Sequence, residues 1–235
     1  MSGLLVTATD TAAGKSVVCG ALAAHMGANG WNVTTQKWVQ TGSGRPAEDL
    51  ETHRRLAPEA GASDPEGLRC PYCFPLPASP HLAAAEAGET VEVETLERAF
   101  HRLDETHDAV LVEGVGGALV PLTHRVMVAD LAARLGLSAV VVVPNALGCI
   151  NHSLLTAEAL RARGIPLLGF IFNNVPGRSA RQEVARDNPR IVTEVAEAPL
   201  LGELPALEKP MEPGDRFEPI GRACISRWKE VTGRD

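Results

Sequence analysis

The chain has 235 residues, of which 45% are hydrophobic, and it carries a formal net charge of −7 at pH 7. This length and composition suffice to bury the core of one α/β domain, while the negative charge, with no stripe of lysine or arginine, argues against nucleic acid and acidic membranes as partners. The apolar run at 139–143 is too short to cross a bilayer, and the first residues show no signal-peptide pattern, so we expect a cytoplasmic protein.

The first predicted elements enclose a phosphate-binding loop. A strand at 3–7 and a helix at 17–26 flank a loop that ends in Gly14-Lys15-Ser16. The backbone N–H groups of such a loop and the helix N-terminus can bind phosphate, with Lys15 at the outer phosphates and the Ser16 hydroxyl on Mg²⁺. The first position of the usual pattern is alanine, Ala8, instead of glycine, and alanine is tolerated there at negative φ.

The second predicted strand, 31–37, brings a lysine to this loop. Lys37 lies at the carboxyl end of the strand, and in an open parallel sheet that end faces the same crevice as the phosphate loop. We therefore expect Lys37 and Thr41 beside the nucleotide. A short helix at 47–56 carries three acidic residues, Glu48, Asp49 and Glu51. One of these carboxylates can be a second Mg²⁺ ligand, and their spacing does not decide which.

Residues 58–80 are rich in proline and glycine and have little periodicity, which predicts a long functional loop. Within it, Cys70-Pro71-Tyr72-Cys73 has the spelling of a glutaredoxin-like motif, in which the first cysteine caps a helix that lowers its pKa. The prolines that follow prevent a helix here, and the remaining cysteines supply no second close pair for zinc. We therefore interpret the pair as two reduced thiols.

The strand predicted at 108–113 ends in a carboxylate, Glu113, and a glycine-rich turn at 114–117 follows it. Helices are predicted before this strand at 81–87 and 92–101. An unpaired carboxylate at the end of a buried strand is costly, whereas beside a phosphate loop it can hold the metal or its water while the glycines admit phosphate. We interpret Glu113 as a functional residue.

The second half of the chain continues the alternation of strands and helices. The predicted strands are 138–144, 167–174 and 200–204, and the predicted helices are 128–135, 147–163, 179–197 with an interruption at Pro189, and 217–231. This alternation predicts an α/β fold in which one domain, 1–235, contains a doubly wound, mostly parallel sheet with helices on both faces.

Two turns in this half carry candidate binding groups. Gly148 precedes a predicted helix start, and such a start favours a carboxylate or phosphate. His152 suits a polar position in the first turn of that helix better than a catalytic role. The strand at 167–174 ends in Asn173 and Asn174, whose amides can read a nucleobase edge through one donor and one acceptor.

Together these motifs resemble the dethiobiotin synthetases, a family of P-loop type that makes the precursor of biotin with ATP. The resemblance runs nearly end to end and rests on segments 9–11 and 14–16, Lys37 with Val39 and Thr41-Gly42, Ser79-Pro80-His81, and segments 112–117, 147–152 and 199–205. It implies ATP as co-substrate, Mg²⁺ as cofactor and a homodimer with shared active sites.

The resemblance also assigns residue roles. Lys15 and Lys37 would stabilise charge on the transferring phosphoryl group with Thr11 beside them, and Ser16, Asp49 and Glu113 would bind Mg²⁺. The implied nucleotide contacts further include Ala12, Ala13, Gly14, Val17, Gly114, Val115, Gly116, Asn173, Asn174, Pro205, Ala206 and Leu207. The implied substrate contacts are Thr41, Ser79, Pro80 and, for a tail carboxylate from the neighbouring subunit, Gly148, Cys149, Ile150 and Asn151.

The reaction implied by the resemblance starts from 7,8-diaminononanoate and CO₂, which form a carbamate that takes the γ-phosphoryl group and then closes to a ureido ring. Three departures from the family pattern stand out. Ala8 and Ala12, where some members have glycine and glutamate, bear on nucleotide affinity, and Trp38, where many have proline, is expected to crowd the residue beside Lys37.

Three alternatives remain open at the level of sequence. An ATPase switch of the partition or cell-division type shares the predicted fold, but its signature lysine early in the loop is Asp10 here. The synthetase half of a glutamine-dependent amide ligase would need a glutaminase, for which this chain has no room. A nucleotide-binding protein without catalysis is suggested by Ala8. The sequence also leaves open whether ATP or another triphosphate binds, since Asn173 can serve several bases.

Overall fold

The computed structural model describes residues 3–175, 177, 181–206 and 214–233. The strands are β1 (Gly3–Ala8), β2 (Val33–Lys37), β3 (Val39–Thr41), β4 (Tyr72–Phe74), β5 (Ala109–Glu113), β6 (Ser138–Pro144), β7 (Leu167–Asn173) and β8 (Leu200–Leu204). The helices are α1 (Lys15–Ala28), α2 (Glu48–Leu56), α3 (Glu66–Arg69), α4 (Pro80–Glu86), α5 (Val93–Asp104), α6 (Val128–Arg134), α7 (Cys149–Arg161), α8 (Gln182–Ala196) and α9 (Glu218–Thr232), the last entered through a 3₁₀ turn at Gly214–Phe217. Among the helices described, none is long and apolar enough to span a membrane.

Six strands form the main sheet in the order β2-β5-β1-β6-β7-β8, and every neighbouring pair is parallel. All carboxyl ends therefore lie at one edge. The chain leaves β1 for β2, which lies beyond β5, whereas β6, β7 and β8 are added later on the other side of β1. The direction of strand addition thus reverses at β1, and ligand crevices of α/β folds open at such a switch point. The predicted α/β fold is confirmed, and its phosphate loop lies at this crevice.

Helices cover both faces of the sheet because successive side chains of a strand point to opposite sides. In β1, Leu5 packs into the core cluster formed with α5, α6 and α7, whereas Leu4 and Val6 pack into the cluster formed with α1 and α9. The same division separates Val141 from Val140 in β6. Strands that are covered on both faces read as continuous apolar runs, which is why the sequence located them well.

The segment 58–80, predicted as a loop, instead contains α3 and β4. β4 pairs with β3 in a separate two-stranded parallel sheet, with Val39 opposite Tyr72. Arg69 anchors the segment, since its Nη2 donates to Thr35 Oγ1 at 2.6 Å and its Nε donates to the Thr35 carbonyl at 3.1 Å. These bonds join residues 34 positions apart, so local periodicity could not reveal them.

The predicted interruption at Pro189 is wrong, because α8 is continuous through it. A proline inside a helix leaves the carbonyl four residues earlier, here that of Ala185, without its usual donor. The Asn145 side chain donates to this carbonyl at 2.9 Å, and Asn188 Nδ2 donates to Asn145 Oδ1 at 2.9 Å. The buried Asn145 amide thus supplies the missing donor, and the buried Asn188 amide holds Asn145 in place. Residues 179–180, which the prediction also placed in this helix, lie outside the described residues.

Candidate active site

The loop between β1 and α1 has the backbone expected of a phosphate-binding loop. Ala8 ends β1 in regular strand pairing and without a positive φ, so alanine brings no backbone strain there. Gly14 precedes α1 at φ 95°, where a Cβ would lie 2.2 Å from Asn173 Nδ2, so this position requires glycine. Asn173 Nδ2 also donates to the Ala13 carbonyl at 2.8 Å. Ala12 has a φ of 54°, which costs alanine about 1–2 kcal/mol.

Lys15 opens α1 and turns back toward the loop. Its side chain is buried, and its Nζ donates to the Asp10 carbonyl at 3.2 Å. Burial, followed by repulsion from Lys37, lowers the pKa of Lys15 to about 8. An anion bound against the loop would stabilise the charged form of this side chain. Lys15 therefore lies against the loop, in the position from which a phosphate ligand would act.

Four side chains, from α1, β2, α2 and β5, meet beside the loop, and we call them the charged cluster: Ser16, Lys37, Asp49 and Glu113. Ser16 Oγ donates toward Asp49 Oδ1 at 2.7 Å and Glu113 Oε1 at 3.0 Å. Lys37 Nζ lies 2.6 Å from Asp49 Oδ2 and 2.8 Å from Glu113 Oε1. The structure thus brings the three predicted Mg²⁺ ligands and the predicted catalytic lysine into one network.

The charged cluster keeps its charges although it is largely buried. Burial alone would raise the pKa of Glu113, but the Lys37 ammonium and a hydrogen bond from His53 hold it well below its usual range. Burial alone would lower the pKa of Lys37, but Glu113 and Asp49 hold it well above its usual range. Each charge therefore depends on its partners, and removal of one leaves an uncompensated buried charge.

Sheet register and one helix position these groups. Lys37 and Glu113 are Cα partners on the neighbouring strands β2 and β5, so their side chains emerge together at the carboxyl edge. Asp49 comes from the first turn of α2, where its backbone N–H donates to Gln40 Oε1 at 3.2 Å. Sequence spacing could not choose among Glu48, Asp49 and Glu51. In the structure, Asp49 is the one that contacts Lys37.

Trp38 does not crowd Lys37, contrary to the expectation from sequence. Its ring is fully buried in the hydrophobic core, and its Nε1 donates to Gln36 Oε1 at 3.1 Å. Trp38 lies at the bend between β2 and β3, where it fills the core while Lys37 reaches the charged cluster.

The charged cluster forms one wall of a cavity of about 530 Å³. The predicted site residues that line it are Thr11, Ala12, Ala13, Gly14, Lys15, Ser16, Val17, Lys37, Thr41, Asp49, Glu113, Val115 and Gly116. Gln40, Glu48 and Thr52 line it as well. The carbonyl of Gly114 lies beside it and accepts from Lys37 Nζ at 3.1 Å. This volume is in the usual range for small-molecule sites.

The amides predicted to contact the base lie at the same edge of the sheet but do not line this cavity. Asn173 ends β7 against the phosphate loop, and Asn174 donates from N and Nδ2 to the Leu204 carbonyl at 3.0 and 3.1 Å. Pro205 and Ala206 follow β8 there, and Leu207 lies outside the described residues.

The predicted substrate segments both begin helices. Ser79 directly precedes α4, whose first residue is the buried Pro80, and neither lines the cavity. Gly148 precedes α7 with a φ of 94°, and residues 149–151 form the first turn. Gly148 therefore lies at a helix start as predicted, whereas Pro80, predicted in the loop 58–80, already belongs to α4.

A second cavity, of about 410 Å³, adjoins the phosphate loop on the side of α7. Its walls are formed by residues 8–11 and 117–120 and by His152, Leu155, Thr156 and Ala159 of α7. Leu119 and Leu155 on these walls are 53% and 55% exposed, and Leu147, just before α7, is 92% exposed. Leu119 and Leu155 thus leave apolar surface exposed beside the phosphate loop.

The charged cluster has the donor chemistry that Mg²⁺ requires. Ser16, Asp49 and Glu113 offer hydroxyl and carboxylate oxygens, and Mg²⁺ in proteins commonly takes one or two carboxylates together with phosphate oxygens and water. Within the described ranges, no group of three or more His, Cys, Asp or Glu side chains could hold a metal ion. The oxygens of Ser16, Asp49 and Glu113 therefore fit Mg²⁺ by their chemistry.

The cysteines agree with the interpretation as thiols, since all are free. Cys70 Sγ donates to the Tyr72 carbonyl at 3.1 Å, and Cys73 Sγ donates to the Gly44 carbonyl at 3.1 Å. Burial, followed by the neighbouring Cys73, raises the pKa of Cys70 to about 12, and a thiol with so high a pKa is a poor nucleophile at neutral pH.

Sequence reasoning missed His53, besides Gln40 and Thr52 in the lining of the cavity. His53 lies in α2, and its Nε2 lies 2.8 Å from Glu113 Oε2. It follows Asp49 by four positions, and residues four apart share one face of a helix. The predicted helix at 47–56 therefore contained the signal.

Fold and site together define a class of protein. A parallel sheet whose first strand leads through a Gly-Lys-Ser loop into a helix is the architecture of P-loop nucleotide-binding proteins. The model of a family described as "AAA domain" matches residues 2–213. Solved structures share the fold: the MinC:MinD cell division complex of Aquifex aeolicus has a TM-score of 0.58 at 15% identity, covering 100% of this chain and 97% of that chain. The cell division ATPase MinD of Pyrococcus furiosus has a TM-score of 0.57 at 18% identity, covering 98% and 100%.

Curated sequences narrow this class. The ATP-dependent dethiobiotin synthetase BioD of Chlorobaculum tepidum is 38% identical over 218 residues, which is 90% of this chain and 90% of that protein. BioD of Ralstonia nicotianae is 39% identical over 87% of this chain and 89% of that protein. The chain belongs to the dethiobiotin synthetase family, and the prediction of an enzyme of this ligase type is confirmed.

Proposed function

We propose that the protein uses Mg-ATP to join 7,8-diaminononanoate and CO₂ into dethiobiotin, a step of biotin synthesis in the cytoplasm. The observation that carries the proposal is the convergence of Lys37, Asp49, Glu113 and Ser16 beside the phosphate loop, at the wall of one cavity. Family membership supports the choice of reaction, because the named relatives are ATP-dependent dethiobiotin synthetases.

Three bond changes make up the proposed reaction. One amine adds to CO₂ and loses a proton, which gives a carbamate. A carbamate oxygen then attacks the γ-phosphorus and ADP leaves, which gives a carbamic-phosphoric anhydride. Finally, the second amine attacks the carbonyl carbon, the ring closes, and phosphate leaves as this nitrogen loses its proton. No side chain needs to form a covalent intermediate.

The residues of the site suit this sequence because its phosphoryl step needs positioning and positive charge. Lys37, fixed by two carboxylates, provides a localised cation at the end of the cavity, and Lys15 provides a second cation at the loop. Thr11 and Thr41 line the same cavity and can orient the diamine. Mg²⁺, held by Ser16, Asp49 and Glu113, would neutralise charge on the β- and γ-phosphates when bound.

We further propose that ATP is held by the phosphate loop from Ala12 to Val17, with its base at Asn173, Asn174 and the segment 205–207. The position of Asn173 supports this assignment, since its amide contacts the Ala13 carbonyl and lies over Gly14. The residues that would contact the base and the residues that would contact the phosphates would then lie next to each other in the crevice. Ser79 and Pro80 would contact the diamine from the start of α4.

A homodimer with shared active sites completes the proposal. The start of α7, 148–151, presents backbone N–H groups that can take the carboxylate of a diamine bound to the partner subunit. Leu119 and Leu155 beside the second cavity, and Leu147 just before α7, would then be covered by the partner. This surface adjoins the phosphate loop, so dimer formation and substrate binding would involve the same side of the molecule.

The test is a reaction of the purified protein with Mg-ATP, bicarbonate and 7,8-diaminononanoate, followed by the mass of the product. We expect dethiobiotin, ADP and phosphate in equal amounts, and no product when any one substrate is omitted. Binding of Mg-ATP without product would overturn the assignment in favour of a non-catalytic nucleotide-binding protein. ATP hydrolysis that needs no diamine and responds to a partner protein would favour an ATPase switch instead.

A further inference from the structure

His53 is a buried imidazole behind the charged cluster. It lies in α2 and is 1% exposed. Its Nε2 lies 2.8 Å from Glu113 Oε2, and Glu113 is itself 1% exposed. The contact is therefore shielded from water, and a hydrogen bond to a charged carboxylate under such conditions is stronger than one at the surface.

The two oxygens of Glu113 have different partners. Oε1 faces Ser16 Oγ at 3.0 Å and Lys37 Nζ at 2.8 Å, on the side of the cavity. Oε2 faces away from these groups and is held by His53. Donors on both oxygens fix the plane of the carboxylate, and His53 is the donor that lies on the side away from Lys37.

The ring hydrogen of His53 belongs on Nε2. Its Nδ1 has no hydrogen-bond partner among the described residues, so a hydrogen there would be buried without an acceptor. With the hydrogen on Nε2, the ring donates to Glu113, and Nδ1 carries only a lone pair. The one N–H group of the imidazole then donates to Glu113 Oε2.

Packing holds the imidazole in this place. Asp49 and His53 are four residues apart in α2, so one helix face presents both to the site. α2 lies directly against α1 at Gly20, where a Cβ would come within 2.9 Å of Leu56 Cδ1 and 3.2 Å of His53 Cα. The backbone of His53 is therefore fixed by helix contact as well as by its hydrogen bond.

We propose that His53 is a positioning residue that directs Glu113 Oε1 toward Ser16 and the bound metal. The identity of the metal and nucleotide rests on the proposed function. Without the Nε2–H donor, Oε2 loses its partner and the carboxylate is free to turn. Partners that hold a metal-binding carboxylate in this way typically contribute about 10–100-fold to metal affinity or activity.

The test compares three variants of His53. In His53→Gln, the side-chain amide can place an N–H close to the position of Nε2. His53→Leu fills the site without a donor, and His53→Asn carries an amide too short to reach Glu113. His25→Leu is the matched control. His25 lies on α1 and its Nδ1 is 3.0 Å from the acidic Glu218 of α9, so it is also a helical histidine paired with a carboxylate, but it does not contact the charged cluster.

The measurement is the dissociation constant of a non-hydrolysable ATP analogue with and without Mg²⁺, by titration calorimetry, with thermal unfolding to establish that each variant is folded. We expect His53→Leu and His53→Asn to lose about 10–100-fold of the affinity gained from Mg²⁺, with metal-free binding unchanged. His53→Gln and His25→Leu should stay within about threefold of the parent protein. If His53→Leu does not fold, the contrast between Asn and Gln at this position decides.

The proposal is overturned if the Mg²⁺-dependent gain is the same in all three variants as in the parent protein, if Gln fails to restore it, or if the parent protein shows no such gain. This measurement needs neither the diamine nor any product. If the parent protein binds Mg-nucleotide but makes no dethiobiotin, the proposed reaction is refuted. The binding data would still show whether His53 contributes to Mg²⁺-dependent affinity.

Discussion

The two flanks of the phosphate loop are built differently. On the side of β2 and β5, charged groups are buried and partnered, with Lys37 and Glu113 only 3% and 1% exposed. On the side of α7, the surface is apolar and open, and Leu147 and Leu155 are 92% and 55% exposed. A buried charge is tolerated only where its partners are already in place. The charges of the first flank are thus partnered within one chain, whereas the second flank leaves apolar surface exposed.

The largest effect should follow from a change in the charged flank. Lys37→Ala removes the cation that both carboxylates hold, so we expect turnover to fall on the order of 10²-fold or more, by analogy with the loss of one preorganised charge-stabilising donor. Steady-state kinetics with the diamine measure it. Lys229→Ala, which changes a lysine of α9 over the Trp31 ring, should leave turnover unchanged. Near-normal turnover in Lys37→Ala would remove Lys37 from the mechanism.

A change in the open flank should act through assembly. The double variant Leu147→Glu, Leu155→Glu places carboxylates on the surface that the dimer would bury, so we expect the dimer to dissociate more than tenfold more readily and activity to fall at low protein concentration. Sedimentation and kinetics over a concentration series measure both. Val195→Glu is the matched control, because Val195 is also 55% exposed but lies on α8. An unchanged oligomeric state in the double variant would show that this surface is not the interface.

A smaller effect is expected from the helix contact that supports the charged flank. Gly20→Ala inserts a Cβ 2.9 Å from Leu56 and 3.2 Å from the backbone of His53, so we expect a loss of about 1–3 kcal/mol in the free energy of unfolding. Gly27→Ala in the same helix meets nothing within 4 Å and should gain about 0.5–1 kcal/mol, because alanine favours helix over glycine. Urea denaturation compares the two. Equal stability of the two variants would mean that α2 moves aside without cost.

The smallest effect concerns a pair remote from the loop. Partial burial alone would raise the pKa of Asp130, but the Met127 N–H and the Arg163 guanidinium, both at 2.7 Å, lower it below its usual value. Because the pKa is lower in the folded protein, the carboxylate stabilises the fold above the unfolded pKa of about 3.9, and this contribution disappears as the pH falls through the folded pKa. Asp130→Asn should cost about 1 kcal/mol at pH 7.

Denaturation of Asp130→Asn and the parent protein at pH 7, 5 and 3 tests the sign. The difference in the free energy of unfolding should persist at pH 5 and shrink at pH 3. A difference that grows toward low pH would contradict the direction of the pKa shift.

The charged flank was predictable because two of its residues stand at the carboxyl ends of predicted strands, one rich in β-branched residues and one apolar. Lys37 and Glu113 each follow a buried run, and parallel pairing brings such ends together without any knowledge of the loops between them. The strands at 138–144 and 200–204 were predicted with their observed bounds for the same reason. Spacing left Asp49 undecided among three acids, because the direction of α2 depends on its packing against α1.

What the sequence did not show depends on contacts between distant segments. Arg69 holds the segment 58–80 in place through its hydrogen bonds to Thr35. The role of His53 can be recognised only once α2 is known to place it against Glu113. Asn173 lies against Gly14, 160 positions from the carbonyl of Ala13 that it contacts. Local sequence patterns do not reveal contacts between residues so far apart in the chain. The four-residue spacing of Asp49 and His53 gave a partial signal, because it places both on one face of a helix.

Pro189 has a consequence beyond the helix that contains it. Because Pro189 leaves the Ala185 carbonyl without a helical donor, Asn145 Nδ2 can donate to this carbonyl. Asn188 Nδ2 in turn donates to Asn145 Oδ1. Asn145 directly follows β6 and stands three residues before Gly148, so the turn that opens α7 is fastened to α8. Proline ordinarily weakens a helix, but here it allows a hydrogen bond that connects α8 to the turn before α7. In Pro189→Ala, the backbone N–H of residue 189 would bind the Ala185 carbonyl within α8, and the turn before α7 would lose its bond from Asn145 and become less well held.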